Sequence, residues 1–290
     1  MTRFAITLAH ILLMLHAAMA QIVLVDDLQR SVQISTPAQR IVSLAPSITE
    51  SLFAIGAGSQ VCGVTDFCTY PESAKAKAHV GGMTTPSIEA IASLQPDLVI
   101  VSMEGNTRQD FDRLTSLGTL VFVSNPRSLQ GIHRSIGQLG LLTGHQREST
   151  ALVASLQERE DSVLARSSGT RTKVFVFISL DPLIAAGKNT FINDLLQHAG
   201  ADNLAASAPG TYPALSREAV LAQNPDAIVF TSDLAESTTV LLDRFPEWKQ
   251  LDAARAGRIY HIDPDLISRP GPRAVSGLEL LFHFFHTNAR

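Results

Sequence analysis

Ser87-Ile88-Glu89-Ala90-Ile91-Ala92-Ser93-Leu94-Gln95-Pro96-Asp97-Leu98-Val99-Ile100 returns later in the chain as Ser216-Arg217-Glu218-Ala219-Val220-Leu221-Ala222-Gln223-Asn224-Pro225-Asp226-Ala227-Ile228-Val229. In both copies a serine stands two residues before a glutamate, and seven residues after the glutamate Pro-Asp opens an apolar run. A Ser cap, a short helix, a proline stop and a buried strand account for that order. A second echo pairs Ile48-Thr49-Glu50 with Ile192-Asn193-Asp194, each ahead of a Gly-Ala step, at Gly56-Ala57 and Gly200-Ala201. A unit used twice at matching places predicts two lobes of one α/β design.

The surrounding pattern supports this. Strands are expected at 41–44, 61–64, 98–101 and 120–123, and helices at 47–55, 87–94, 109–117 and 129–142. Ser or Thr is expected to cap the helix at 47–55. Apolar strands without alternation, separated by helices, indicate a parallel sheet covered on both faces. From Gln146 to Arg166 the chain is charged and free of Gly and Pro, with Leu152, Leu156 and Val163 on one side. Such a helix spans about 30 Å, the width of a small domain, and strand–helix alternation restarts at Lys173. The expected fold is therefore two Rossmann-like lobes with parallel sheets joined by a single long α-helix: an N-terminal lobe at 22–144, a connecting helix at 145–170 and a C-terminal lobe at 171–290. A cleft between such lobes is a natural ligand site, and a stiff connector predicts only small closure around a ligand.

Arg3, an apolar run from Phe4 to Leu15 and the small-residue ending Ala18-Met19-Ala20 read as a cleavable signal peptide, residues 1–20. The run is too short and too interrupted, by His10 and His16, for a membrane anchor. A secreted periplasmic protein is the expectation. The full chain carries a formal net charge of −4, too mild and mixed to suggest nucleic acid. Its two cysteines, Cys62 and Cys68, could form a disulfide in an oxidising compartment; alternatively Cys62, within Val61-Cys62-Gly63-Val64, is a small buried strand residue.

Enzyme motifs fail on inspection. Gly56-Ala57-Gly58 lacks the third glycine of a dinucleotide loop and follows a helix rather than a strand. No G-x-S-x-G elbow or H-E-x-x-H is present, and the scattered histidines lack the Cys or acidic companions of a metal site. Neither a catalytic role, a cofactor nor a resident metal is expected.

Ile41-Val42-Ser43-Leu44-Ala45-Pro46-Ser47-Ile48-Thr49-Glu50, Gly63-Val64-Thr65-Asp66-Phe67-Cys68-Thr69-Tyr70-Pro71, both glutamate–Pro-Asp repeats and Ser268-Arg269-Pro270-Gly271-Pro272-Arg273 resemble the helical-backbone solute-binding proteins of ABC importers. That family serves cobalamin, haem and ferric siderophores, and the likeness is greatest to its cobalamin-binding branch. The resemblance implies a monomer that captures cobalamin or a related corrinoid and delivers it to an importer's membrane subunits. Haem or a ferric siderophore is the alternative ligand, and a periplasmic enzyme the alternative class. It also implies that Glu89 and Glu218, one per lobe, dock onto arginines of the two membrane subunits; the plainer alternative is that each serves its own helix dipole. Phe67, Met83 and Tyr212 fall where the cobalamin-binding branch places cleft aromatics, although Met83 and Ser102 stand where tryptophan is expected. Tyr212 could instead be a core residue. Arg269 either faces the cleft toward an anionic ligand group or caps the sheet.

Overall fold

The computed structural model describes residues 21–286 apart from 168 and 170; the signal peptide expected at 1–20 lies outside the described residues. The chain opens with an antiparallel hairpin, β1 (Ile22–Val25) and β2 (Ser31–Ile34). The first lobe follows as β3 (Ile41–Ser43), α1 (Pro46–Ala54), β4 (Val61–Val64), β5 (Ala78–His79), α2 (Ile88–Ser93), β6 (Leu98–Val101), α3 (Arg108–Ser116), β7 (Val121–Val123) and α4 (Leu129–Thr143). Its five strands are parallel, in the order β5-β4-β3-β6-β7. The long helix α5 (Gln146–Arg166) comes next. The second lobe comprises β8 (Thr172–Leu180), β9 (Leu183–Ala185), α6 (Phe191–His198), β10 (Ala201–Asn203), α7 (Arg217–Gln223), β11 (Ala227–Thr231), α8 (Thr238–Arg244), α9 (Asp252–Arg255), β12 (Ile259–Ile262), α10 (Pro264–Ile267) and α11 (Ala274–His286). Its parallel strands run β10-β8-β11-β12, with β9 antiparallel on β8.

The repeated motif has a visible physical purpose. Ser87 and Ser216 accept hydrogen bonds from the backbone N–H of Ala90 and Ala219, each at 3.1 Å, and so start α2 and α7. The aspartates of the two Pro-Asp pairs pin neighbouring strands. Asp97 accepts from the backbone of Gln39 (2.7 Å) and Arg40 (3.0 Å) just before β3, and Asp226 accepts from Lys173 (2.8 Å) in β8. Each carboxylate thereby fixes the register of a central parallel pair, β3–β6 and β8–β11. At α1 the expected Ser or Thr cap is replaced: Ala45 is the N-cap, without a side-chain bond, and Pro46 opens the helix. Proline tolerates that place because its missing N–H would be unpaired there anyway.

Both sheets are buried on two faces. In the first lobe Val42, Val99 and Val101 pack against α2 and α3, whereas Ile41, Leu98 and Ile100 face a core that runs on, unbroken, to Val174, Leu195 and Leu278 of the second lobe. The connecting helix seals that shared core with Leu156 and Val163. Adjacent residues of α5 tie it to opposite lobes: Glu160 pairs with His133 of α4 at 2.8 Å, and Arg159 grips Glu279 of α11 at 2.9 and 2.6 Å.

Cys62 and Cys68 are both free thiols, so of the two alternatives the sequence left open the disulfide is the one not formed. Cys62 packs with the core under α2 and α3, and Cys68 belongs to the shared core. The two sulfurs lie on opposite sides of the sheet, where no bridge can form.

Candidate functional site

Loops at the C-terminal ends of the first lobe's strands meet the second lobe across a cleft, the usual ligand position on an open parallel sheet. Three adjoining cavities, of about 400, 140 and 390 Å³, share Glu104 and together run along it. All four ligand candidates reach this cleft: Phe67, Met83 and Arg269 line the largest cavity, and Tyr212 lines the other two.

Local chemistry explains how each is presented. Phe67 sits in the turn after β4, in which the Cys68 N–H donates to Thr65 O at 3.0 Å. The buried Cys68 thiol rests between the hydroxyls of Thr49 (3.1 Å) and Thr65 (3.2 Å). This anchor leaves the Phe67 ring 54 % exposed at the cleft edge. Tyr212 projects from a loop whose backbone is held on either side, since the N–H groups of Gly187 and Ala185 donate to Thr211 O (2.9 Å) and Pro213 O (3.1 Å). Tyr212 is 48 % exposed, so it is a cleft residue and not part of the core. Burial and the neighbouring Glu104 carboxylate push its phenol above the ordinary range, with Arg127 opposing them.

Met83 packs its methyl over Gly105, where an added Cβ would come within 2.2 Å of Cε; no side chain fits there without displacing the thioether. Asn106 ties this wall together, donating to Met83 O at 2.7 Å and accepting from the Ser102 N–H at 2.8 Å.

Arg269 faces the cleft with its charge already engaged, at 2.8 Å from Asp265 and 3.7 Å from Glu50. It belongs to a four-charge cluster spanning the lobes. Arg273 forms a bidentate pair with Glu50 at 2.8 and 2.6 Å, reaches Asp265 at 3.3 Å and lies 4.2 Å over the Tyr70 ring. Glu50's hydrogen bonds drive the Arg273 pKa further upward. Lobe contact is tight here, because a Cβ on Gly271 would stand 3.3 Å from Ser47 O. On the other side of the interface Asp194, the sequence counterpart of Glu50, accepts from the Leu129 N–H at the start of α4 (2.8 Å). The second echo thus marks two acids that bridge the lobes in opposite directions.

Glu104, Arg127, Tyr70, Asp265 and Arg273 were not among the sequence candidates. Tyr70 and Arg273 had a signal only as members of the family-like stretches 63–71 and 268–273. Glu104 and Arg127 approach to 3.9 Å across 23 residues of chain, a pairing without a motif. Cleft charges are therefore matched, Glu104 with Arg127 and Asp265 with Arg269.

Glu89 and Glu218 are exposed at the starts of α2 and α7, away from the residues lining the cleft. The Glu218 carboxyl lies below the ordinary range through backbone and Ser216 hydrogen bonds. No helix among the described residues is long and apolar enough to cross a membrane.

Comparison with known proteins agrees with this geometry. The family model described as periplasmic binding protein matches residues 41–266. An uncharacterized ABC transporter substrate-binding lipoprotein, YvrC of Bacillus subtilis, is 34 % identical over 269 residues, covering 89 % of this chain and 84 % of that protein. The periplasmic vitamin B12 binding protein BtuF of Vibrio cholerae superposes with a TM-score of 0.80 at 25 % identity, over 88 % of this chain and 99 % of that one. The periplasmic heme-binding protein RhuT of Roseiflexus sp. RS-1, in apo form, superposes at 0.78 and 28 % identity, over 87 % and 100 %. With the family match spanning most of the sequence and two parallel-sheet lobes flanking one cleft, the chain belongs to the periplasmic binding proteins, the solute-binding components of ABC importers.

Proposed function

We propose that this protein captures a corrinoid, most simply cobalamin, in the periplasm and delivers it to an ABC importer. The observation that carries this reading is a charge-matched cleft with an exposed aromatic ring from each lobe, Phe67 and Tyr212. Flat rings and the Met83 thioether suit a broad macrocycle. Paired charges and the hydroxyls of Ser47, Ser102 and Ser268 along the wall suit a periphery of neutral amides, which both donate and accept hydrogen bonds. A trianionic ferric siderophore would call for unpaired cations, whereas Arg269 is held by Asp265.

Haem is the second reading, and Tyr212 is what favours it, as a phenol oxygen in the cleft that could ligate iron. Two features weigh against it. The Tyr212 phenol resists ionisation, and the two propionates of haem would compete with Glu104 and Asp265 for the same arginines.

Export and docking complete the proposal. Residues 1–20 direct secretion, and Glu89 and Glu218 meet basic groups of two membrane subunits through charge-assisted hydrogen bonds. Calorimetric titration with cyanocobalamin should give one site per chain, and Tyr212→Ala should weaken it by roughly 1–3 kcal/mol, the scale of a lost aromatic anchor. Absence of heat with cyanocobalamin, together with a Soret band on adding haem that Tyr212→Phe abolishes, would replace corrinoid by haem.

A further inference from the structure

The two repeated glutamates are equivalent in position but not in surroundings. Beside Glu218 the space at the end of α8 is filled. Its C-cap residue Phe245 is buried against Trp248 at 4.2 Å between ring centroids, and Arg217 covers it at 4.5 Å while pairing with Glu247 at 3.4 Å. In the first lobe the matching C-cap residue, at the end of α3, is Leu117, and it stands 59 % exposed. Between α2 and α3 lies an open groove of about 420 Å³ lined by Ile88, Glu89, Ala92, Arg113, Ser116 and Leu117. Among the described residues the Arg113 guanidinium has neither a hydrogen bond nor an ion pair. None of the groove residues lines the ligand cleft; the helices carrying them cover the sheet face turned away from the second lobe.

An uncovered leucine, an unpaired arginine and a carboxylate on one concave surface are the ingredients of an interface: an apolar centre excludes water, and flanking charges of both signs set orientation. We infer that this groove receives a loop of one importer membrane subunit, one that presents a basic group to Glu89, an acidic group to Arg113 and an apolar side chain over Leu117 and Ala92. The inference rests on the docking role proposed for Glu89, with which the groove is continuous, and extends it: the first lobe makes a broader contact than the second. Docking is then unequal between the lobes, so the nearly two-fold receptor has a distinguishable front and back when it meets paired membrane subunits.

The test measures binding of the ligand-free protein to its importer reconstituted in nanodiscs, with thermal midpoints confirming that each variant is folded. Leu117→Ser and Arg113→Glu should each weaken binding about tenfold, the scale of an interface residue that contributes measurably without being a hot spot. Val240→Ser, at an exposed apolar position on α8, should change nothing. Should Glu89→Arg abolish binding while Leu117→Ser and Arg113→Glu bind as wild type, the groove is not a contact although the docking role stands. Should Glu89→Arg and Glu218→Arg both bind normally, the docking role itself fails. Self-association of the wild-type protein that Leu117→Ser abolishes would make the occupant a second copy of this chain and overturn the inference.

Discussion

Arg273→Leu should be among the most destabilising single changes available at the cleft. The substitution removes both hydrogen bonds to Glu50 and one to Asp265, and leaves the Glu50 side chain, 2 % exposed, with only Arg269 at 3.7 Å. Stripping one partner from a buried ion pair costs about 3–5 kcal/mol. Arg273 is 22 % exposed, so water reaches the site, and Arg269 compensates in part; the cost should fall to about 2–4 kcal/mol. Loss of the contact with Tyr70 is within that figure, at about 0.5–1 kcal/mol. For a chain of this size the midpoint should drop by roughly 4–16 °C in differential scanning calorimetry. Glu50→Leu combined with Arg273→Leu should be less harmful than the sum of the two single changes, by about 1–3 kcal/mol, because it leaves Asp265 and Arg269 to neutralise each other at 2.8 Å. Arg273→Lys should fall between, since an ammonium keeps the charge but cannot make the bidentate fork. A midpoint shift under about 2 °C for Arg273→Leu, or strictly additive single costs, would refute the idea that this pair rivets the lobes.

Two further outcomes follow from the titratable groups. In an NMR titration of ring-labelled tyrosine, Tyr212 should ionise above the ordinary tyrosine range; Glu104→Gln should bring its pKa down and Arg127→Ala should drive it higher, because the carboxylate disfavours the phenolate and the guanidinium favours it. The reverse order would mean that these groups do not face the ring. Thiol counting without reductant should find two reactive cysteines in denaturant. In the native protein Cys68 should be inert and Cys62 slow, its pKa being raised by burial; a count of zero in denaturant would restore the disulfide.

Sequence by itself determined the two-lobe plan, because its cause is local and repeated. A serine cap and a proline stop are short-range devices, and they recur at 87–96 and 216–225 with the same spacing, whereas the pinning of remote strands by Asp97 and Asp226 emerged only in the fold. The long helix was legible for the same reason: 21 residues without a breaker. Phe67 and Tyr212 were candidates through the family resemblance alone, and the structure places both along one cleft. What only the tertiary structure decided depends on distances between remote segments. Glu50 meets Arg273 across 223 residues and Glu104 meets Arg127 across the cleft wall, and no periodicity records such pairs. The cysteines show the same limit, since six residues of separation allowed a disulfide until the sheet placed the sulfurs on opposite faces. Arg269 carries a charge in any sequence reading, but whether that charge is free for a ligand is set by Asp265 at 2.8 Å. Exposure of Leu117 and burial of Phe245 likewise followed from packing: helix ends of similar pattern met a solvent groove in one lobe and a tryptophan in the other.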